Sequence, residues 1–273
     1  MKKILLTITL LSSAILSQAQ GNAELGFNLG FSTYLGDLQM ADYSYRTPGL
    51  ALGGHYRYNM NSHVAVKAFM NVCRISGDDA SSGDQGHINR NLSFRSNILE
   101  YGGVLEINAL PFNIHSNHHK RNKKHFNFTP YFFGGFNIFH FNPKTEYNGS
   151  WVDLQPLNTE GQNLSNGFPY HRTQVAIPFG AGLKFQLNHH LSLGLEIGMR
   201  KTFTDYLDDV SGNYVDHSTL SSKNGGLSAA LAFRGDEISG GNLSYPAAGT
   251  ARGNSNNMDW YTINTLSLSY RFY

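Results

Sequence analysis

Eight runs of this chain alternate apolar and polar residues with a period of two. The last run, at 265–273, reads TLSLSYRFY, with Leu or an aromatic residue at every second position and Ser or Arg between them. Successive side chains of a β-strand point to opposite faces, so this period predicts strands with one apolar face each. The other runs lie at 24–38, 49–60, 63–75, 97–110, 129–141, 175–187 and 190–203, and the run at 129–141 is aromatic on both faces.

The opposite face of these runs carries charged residues in the middle of strands. They are Glu24, Arg57, Lys67, Glu100, Glu106, Lys184, Glu196 and Arg200. In a soluble β-sandwich this face meets water, so the charges alone do not separate a sandwich from a membrane barrel. The interior of an eight-stranded barrel, in contrast, is just filled by side chains. In a barrel we expect these residues to pair as a structural lumen charge network, rather than to form a proton path or a catalytic dyad.

The connections between the runs alternate in length. Those at 58–63 and 187–190 are tight, whereas those at 35–49, 74–95, 142–173 and 204–259 are long and rich in Gly, Asn, Asp and Ser. Membrane-spanning strands need about 9–11 residues, and outer-membrane barrels join them by short turns inside and long loops outside. These features predict an all-β, eight-stranded antiparallel up-and-down transmembrane β-barrel with short periplasmic turns and long extracellular loops.

The first residues have the pattern of a secretory signal peptide. Two lysines precede an apolar run at 4–15, and Ser17 and Ala19 supply small residues before a cleavage site. The run is too short for a comfortable membrane span, and no cysteine near the cleavage site could carry a lipid anchor. We predict a signal peptide at 1–19 and an outer-membrane barrel domain at 20–273, with a retained membrane anchor as the alternative.

Composition narrows the class of protein further. Charged residues make up 15%, aromatic residues 13%, and there are 29 glycines, which favours a β-rich chain over a helical soluble domain. The net charge of +2 includes the two lysines of the predicted signal peptide, so nothing suggests nucleic acid as a partner. Cys73 is the single cysteine, which excludes an internal disulfide, and we predict no cofactor.

The run at 265–273 also suggests how the barrel is assembled. A free apolar strand edge is an aggregation hazard, and closure of a barrel removes it. Leu266, Leu268, Tyr270 and Phe272 resemble the C-terminal signal by which barrel-assembly machinery recognises its clients, although Tyr273 extends one residue beyond the usual closing aromatic. The alternative is an ordinary final strand of a soluble sheet.

A basic segment, HSNHHKRNKKH at 115–125, lies in the third inner connection. Its histidine spacing fits no zinc motif. We expect a solvated periplasmic loop, or else a docking patch formed by Lys120, Arg121, Lys123 and Lys124.

An acidic segment in the last outer connection contains Asp205, Asp208, Asp209 and Asp216. The spacing is not that of an EF-hand, so we expect a polar loop with turn-forming aspartates rather than a calcium site. No Ser-His-Asp, Cys-His or HExxH arrangement stands out in the sequence, and we predict that the protein is not an enzyme.

Several stretches resemble the PorG family of outer-membrane barrel proteins of the type IX secretion system. They are STYLGDL (32–38), RNLSFRSNILE (90–100), YFFGGFNIFHFNPK (131–144), LNTEGQ (157–162), IPFGAGLK (177–184), RKTFTDYLDDVSGNYVD (200–216) and the segment from RGN to DWY (252–261). The resemblance implies an accessory subunit rather than the secretion pore. It also implies periplasmic ring subunits of PorK and PorN type as partners, in bacteria that often show gliding motility, and it assigns no catalytic residue.

Two functions therefore compete. The first is a structural role in type IX secretion, in which the barrel sits in outer-membrane lipid and docks the periplasmic ring through its inner connections, above all 112–128. The second is a stand-alone barrel that acts as a small-solute channel, an adhesin or an envelope-stabilising protein.

Overall fold

A computed structural model describes residues 22–38, 47–112, 128–164, 167–238 and 243–272 of the chain. Its strands are β1 Ala23–Leu35, β2 Gly49–Asn59, β3 Val64–Asp78, β4 Ser93–Asn108, β5 Phe128–His140, β6 Pro143–Tyr147, β7 Ser150–Asp153, β8 Thr173–Gln186, β9 Leu191–Thr202 and β10 Trp260–Arg271. The α-helices are α1 Gln85–Arg90, α2 His217–Asn224 and α3 Gly226–Ala232, and 3-10 turns lie at Asp79–Ser81, Gln155–Leu157 and Gly235–Glu237. Within these ranges, no helix is long and apolar enough to span a membrane.

Eight of the strands form a closed antiparallel barrel. They pair in the order β3-β2-β1-β10-β9-β8-β5-β4, and β4 pairs back with β3 all the way from Val64 to Asp78. The first and last strands of the barrel are neighbours, with Glu24 of β1 opposite Arg271 of β10. Because the sheet closes on itself, these strands leave no open edge. The prediction of an eight-stranded antiparallel barrel is confirmed.

The outer wall of the barrel is apolar around its circumference. Large apolar side chains stand exposed on all eight strands, among them Leu25, Phe27, Leu29, Leu50, Leu52, Val66, Met70, Leu99, Leu105, Val175, Ile197, Leu266 and Leu268. In β5, Phe132 and Phe136 point outward and are 64% and 74% exposed, while Tyr131 and Phe133 point inward and are buried. Such a continuous apolar surface is unfavourable in water and suits a lipid environment.

Two tight turns lie at one end of the barrel, here called the short-turn end. Between β2 and β3, the side-chain oxygen of Asn61 accepts hydrogen bonds from the backbone N–H groups two and three residues on, at 2.8 and 2.9 Å. Between β8 and β9, Asn188 accepts the same two bonds at 2.8 Å each. Asparagine favours turns through bonds of this kind, so both connections are fixed by local sequence.

The opposite end carries the long connections, as predicted, and these connections fold into a cap. We define the cap as the described residues of 36–48, 79–92, 141–172 and 203–259, which include the three helices and the β6–β7 hairpin. Its buried apolar residues join those of the adjacent strands in one cluster, which includes Tyr34, Leu38, Ile75, Leu92, Phe94, Phe141, Leu154, Leu207, Val210 and Leu231. These residues are scattered over separate connections and follow no period, so a pattern search cannot detect the core that they form.

Candidate functional site

Glu106 on β4 is the centre of a buried ion-pair cluster inside the barrel, towards the short-turn end. Its carboxylate lies 2.8 Å from Arg57 Nε, 3.1 Å from Lys67 Nζ and 2.6 Å from Lys184 Nζ. The Glu106 side chain is 0% exposed, and each of its cationic partners is also buried. Charges removed from water in this way are tolerated only when they are paired and hydrogen-bonded.

Two further carboxylates extend this cluster around the lumen. Glu24 bridges Arg57 and Arg271, at 2.8 and 2.7 Å. Glu196 pairs with Lys67 on the other side. The cluster therefore joins strands on opposite sides of the barrel. It contains three carboxylates and four cations, which are Glu24, Glu106, Glu196, Arg57, Lys67, Lys184 and Arg271.

A second cluster surrounds Glu100, nearer the cap. Arg200 Nη2 lies 3.0 Å from its carboxylate, and the Tyr261 hydroxyl donates to it at 2.7 Å. The amide groups of Asn71 and Asn137 donate at 2.8 and 2.7 Å. Of the eight residues predicted for the lumen, the structure thus places six in the cluster around Glu106 and two in this one.

Sequence reasoning missed several members of these clusters. Arg271 alternates with outward Leu and Tyr residues in the last run, so its inward position could have been read from the pattern. Tyr131, whose hydroxyl donates to Glu196 at 2.8 Å, could not have been assigned, because both faces of its run are aromatic.

A Ser-His-Asn arrangement also lies in the lumen. His55 Nε2 is 3.0 Å from Ser269 Oγ, and His55 Nδ1 is 2.8 Å from Asn28 Oδ1. These are the contacts of a nucleophile, a base and an orienting group. Ser269 is only 2% exposed and His55 only 4%, so a substrate has no access to the hydroxyl. The three side chains satisfy one another's hydrogen bonds inside the barrel wall.

Side chains close the lumen between the two ion-pair clusters. Phe69, Val104 and Phe133 are buried there in one apolar cluster, together with Tyr131. The void between Lys67, Phe133 and Glu196 measures about 10 Å³, which admits at most one water molecule. The described barrel therefore has a packed interior rather than an aqueous channel, as expected for eight strands.

Two buried carboxyl groups face each other in the cap. The Tyr34 hydroxyl donates to Asp208 at 2.6 Å and lies 3.0 Å from Asp259. One phenolic hydrogen cannot satisfy two carboxylates, and both aspartates are almost completely buried. Burial raises the pKa values of Asp208 and Asp259 well above their usual range, and repulsion by Asp37 and by Asp208 respectively adds to this. Burial and repulsion thus both favour the neutral, protonated form of these two carboxyl groups.

Asp205 and Asp209 are buried as well, which differs from the prediction of a polar loop, although Asp209 has the left-handed backbone (φ 71°) of a turn-forming residue. Among the described residues, the Ser211 side chain interacts with the Asp205 carboxylate, but neither carboxylate oxygen accepts a well-formed hydrogen bond. Burial raises the pKa of Asp205 to about 7 and that of Asp209 to about 6. Asp216 behaves as predicted for a polar loop: it is exposed and caps α2, accepting the backbone N–H of Thr219 at 2.8 Å.

These shifts give the cap a pH-dependent stability. A carboxyl group whose pKa is raised by folding stabilises the folded cap at low pH, and this contribution is lost as pH rises from about 4 towards 7. We expect hydrogen exchange in 203–216, corrected for the intrinsic effect of pH, to accelerate between pH 4 and pH 7. The variant Asp205→Asn should exchange more slowly than the native protein at pH 8 and show a weaker pH dependence.

Asp216→Asn is the matched control for this prediction. Hydrogen bonds from Ser218 and Thr219 lower the pKa of Asp216 to about 2, so this group does not titrate between pH 4 and pH 8. The control should keep the native pH dependence. If the exchange rate of the native protein does not change with pH, or if Asp205→Asn keeps the native pH dependence, the buried carboxyl group of Asp205 does not determine the stability of the cap.

Arg90 ties three parts of the cap together. Its guanidinium pairs with Asp79 at 2.6 Å and donates to the backbone carbonyls of Asp37, at 3.1 Å, and Arg252. Arg252 in turn pairs with Glu160 at 2.9 Å. These two buried arginines connect the segment before α1 to the first and last cap connections, so the cap is held by ion pairs as well as by its apolar core.

The remaining predicted site residues are placed as follows. On β10, the side chains of Leu266, Leu268 and Tyr270 point outward and are between 45% and 49% exposed. The Phe272 ring packs against the Tyr270 ring, with 5.4 Å between the ring centres. Residues 1–19 of the predicted signal peptide, and Lys120, Arg121, Lys123 and Lys124 of the predicted docking patch, lie outside the described residues. Across the described ranges, no three His, Cys, Asp or Glu side chains are placed to share a metal ion.

A closed eight-stranded barrel with an apolar outer wall and a polar, packed interior is the fold of the small outer-membrane barrels. The chain belongs to the family described as a domain of unknown function, DUF6089, whose profile matches residues 2–230. A comparison with curated proteins gave no match.

Solved outer-membrane proteins have similar structures. The attachment invasion locus protein Ail of Yersinia pestis is 10% identical, with 93% of this chain and 99% of Ail covered and a TM-score of 0.41. Neisserial surface protein A is 8% identical, with 93% and 98% covered and a TM-score of 0.40. OprG of Pseudomonas aeruginosa is 10% identical, with 93% and 99% covered and a TM-score of 0.37.

Proposed function

We propose that this protein is an integral outer-membrane barrel, with its short-turn end in the periplasm and its cap outside the cell. The apolar wall on all eight strands supports insertion in lipid. The orientation rests on the contrast between the tight turns and the large cap, because outer-membrane barrels keep their short connections on the periplasmic side.

We further propose a non-enzymatic, accessory role in type IX secretion, in which the barrel docks periplasmic ring subunits of PorK and PorN type. The packed lumen is the observation that carries this proposal: side chains close the lumen at the level of Phe69, Val104 and Phe133, which supports action through the surfaces of the barrel rather than conduction of a substrate. The sequence resemblance to the PorG family is the reason for proposing type IX secretion as the system in which the protein acts.

The docking surface is assigned to the connection between β4 and β5. The other inner connections, at Asn61 and Asn188, are tight turns that offer little area. The segment 113–127 includes the basic residues 120, 121, 123 and 124, which would attract an acidic surface on the partner. Such a contact weakens as salt is raised.

The test replaces residues 114–126 by a short Gly-Ser turn. We expect loss of type IX cargo secretion and of co-purification with ring subunits, while the barrel still inserts and migrates differently on a gel before and after boiling. The double variant Lys120→Gln/Lys123→Gln should weaken co-purification, most clearly at low salt, where the lysine charges of the native protein are least screened. Its matched control, Lys201→Gln/Lys223→Gln, removes two exposed lysines at the cap end and should have no effect.

If both secretion and co-purification persist in the Gly-Ser variant, the partner contacts another part of the barrel or the protein has no docking role. The folded cap favours an adhesin as the second candidate, because it presents a fixed surface on the outside. Deletion of the gene separates the two functions: type IX cargo secretion stops if the protein is an accessory subunit and continues if it is a stand-alone adhesin.

A further inference from the structure

Two arginines stand close together on the outer wall of the barrel, just below the cap. Arg74 is on β3 and Arg95 is on the adjacent strand β4, where Arg74 pairs with Asn97 and Arg95 with Ser76. The two arginines are therefore diagonal neighbours on one face of the sheet, where long side chains are within reach of each other. Their side chains face away from the lumen, since the alternate residues of both strands are buried.

Neither guanidinium has a carboxylate partner among the described residues. Arg74 Nε donates to Asn97 Oδ1 at 3.2 Å, and the Arg95 guanidinium lies 3.3 Å from the centre of the Trp151 ring. The nearby Lys144 is neutralised by Asp153 at 2.8 Å. The two guanidinium groups therefore place unneutralised positive charge at the edge of an apolar wall, where an anion between them would be attracted by both.

Below the arginines the wall forms two adjoining grooves. One, of about 390 Å³, is lined by Arg95, Trp151, Val72 and Leu99 among others. The second, of about 460 Å³, contains Arg74 and shares Val72 and Asn97 with the first. Val72 is 50% exposed and Leu99 41% exposed, so each groove runs from a cationic end to an apolar end.

We propose that Arg74 and Arg95 bind the phosphate of a lipid headgroup in the outer leaflet, whose acyl chains lie along Val72 and Leu99. Guanidinium groups recognise phosphate through paired, charge-assisted hydrogen bonds, and Trp151 sits where aromatic residues mark the membrane interface. The placement in the leaflet rests on the membrane orientation proposed above and not on the role in secretion. The combination of paired cations with an apolar groove selects a lipid over a soluble anion.

The test measures retention of lipid A on the purified barrel in detergent by native mass spectrometry. Removal of two charge-assisted contacts in Arg74→Gln/Arg95→Gln should reduce retention by about tenfold or more. The control Lys201→Gln/Lys223→Gln removes the same charge at the same end and should retain lipid A as the native protein does. Both variants should fold, because their changed side chains are at the surface, and the gel shift on boiling checks this.

Two further arms identify the source of the phosphate. Enzymatically dephosphorylated lipid A should bind the native protein and Arg74→Gln/Arg95→Gln equally and weakly, and inorganic phosphate should not displace lipid A. Equal retention of lipid A by the native protein and that variant would overturn the proposal, as would displacement by inorganic phosphate, which would assign the arginines to a free anion. Secretion assays play no part in this test, so its failure is distinct from failure of the docking role.

Discussion

Replacing Glu106 by glutamine is expected to lower the free energy of unfolding of the barrel by about 3–5 kcal/mol. The carboxylate compensates three buried cations, and Lys184 has no other carboxylate within ion-pair distance in the described part of the chain. Glutamine keeps the shape but leaves that ammonium group unpaired inside the barrel. Urea unfolding of the protein refolded in detergent, followed by the gel shift on boiling, measures the loss.

The double variant Glu106→Gln/Lys184→Met sharpens this prediction. Replacing Lys184 removes the ammonium group that lacks a carboxylate partner and should recover part of the lost stability. The effects of the two substitutions on the free energy of unfolding should therefore be strongly non-additive. Glu146→Gln, at an exposed position on β6, is the matched control and should change stability little. A Glu106→Gln barrel as stable as the native one would mean that the ion pairs contribute nothing to holding the strands together.

Replacing Arg90 by glutamine is expected to destabilise the cap by about 3–5 kcal/mol and to leave the barrel folded. The substitution leaves the carboxylate of Asp79, which is 0% exposed, without its cationic partner. It also removes the hydrogen bonds to the backbone carbonyls of Asp37 and Arg252. Because these contacts lie within the cap, hydrogen exchange should accelerate in 79–92 and 203–238. The gel shift on boiling should persist.

Arg234→Gln provides the control for the cap. Arg234 pairs at 2.7 Å with Glu237, which is partly exposed, and such a pair contributes only about 0–1 kcal/mol. Native exchange rates in the cap of Arg90→Gln would contradict the assignment of Arg90 as its central tie. Loss of the gel shift in that variant would instead show that cap and barrel unfold as one unit.

The barrel could be predicted from sequence because its rule is local. A period of two assigns every strand residue to a face, and Asn61 and Asn188 fix their turns through bonds to their own backbone. The same rule places Glu106 and Lys184 inside. It does not show that these two residues meet, since β4 and β8 are not neighbours and their contact depends on the stagger of the whole barrel.

The cap could not be predicted, for the opposite reason. Leu38, Leu92, Leu207 and Leu231 belong to separate connections, and only the closed barrel brings them into one core. Asp208 and Asp209 lie in a sequence that favours turns, yet both are buried because this core and its arginines surround them. The local sequence pattern therefore predicts the barrel wall and the charges that point inward, whereas the structure of the cap depends on packing between residues far apart in the sequence.

The pairing of the first barrel strand with the last also governs the kinetics of folding. Glu24 and Arg271 are 247 positions apart, so the whole barrel lies between the two ends of this contact. Contacts of such long sequence separation make folding slow, and β1 presents an unpaired edge throughout that delay. Until β10 arrives, that open edge can pair with another chain, so aggregation competes with closure of the barrel.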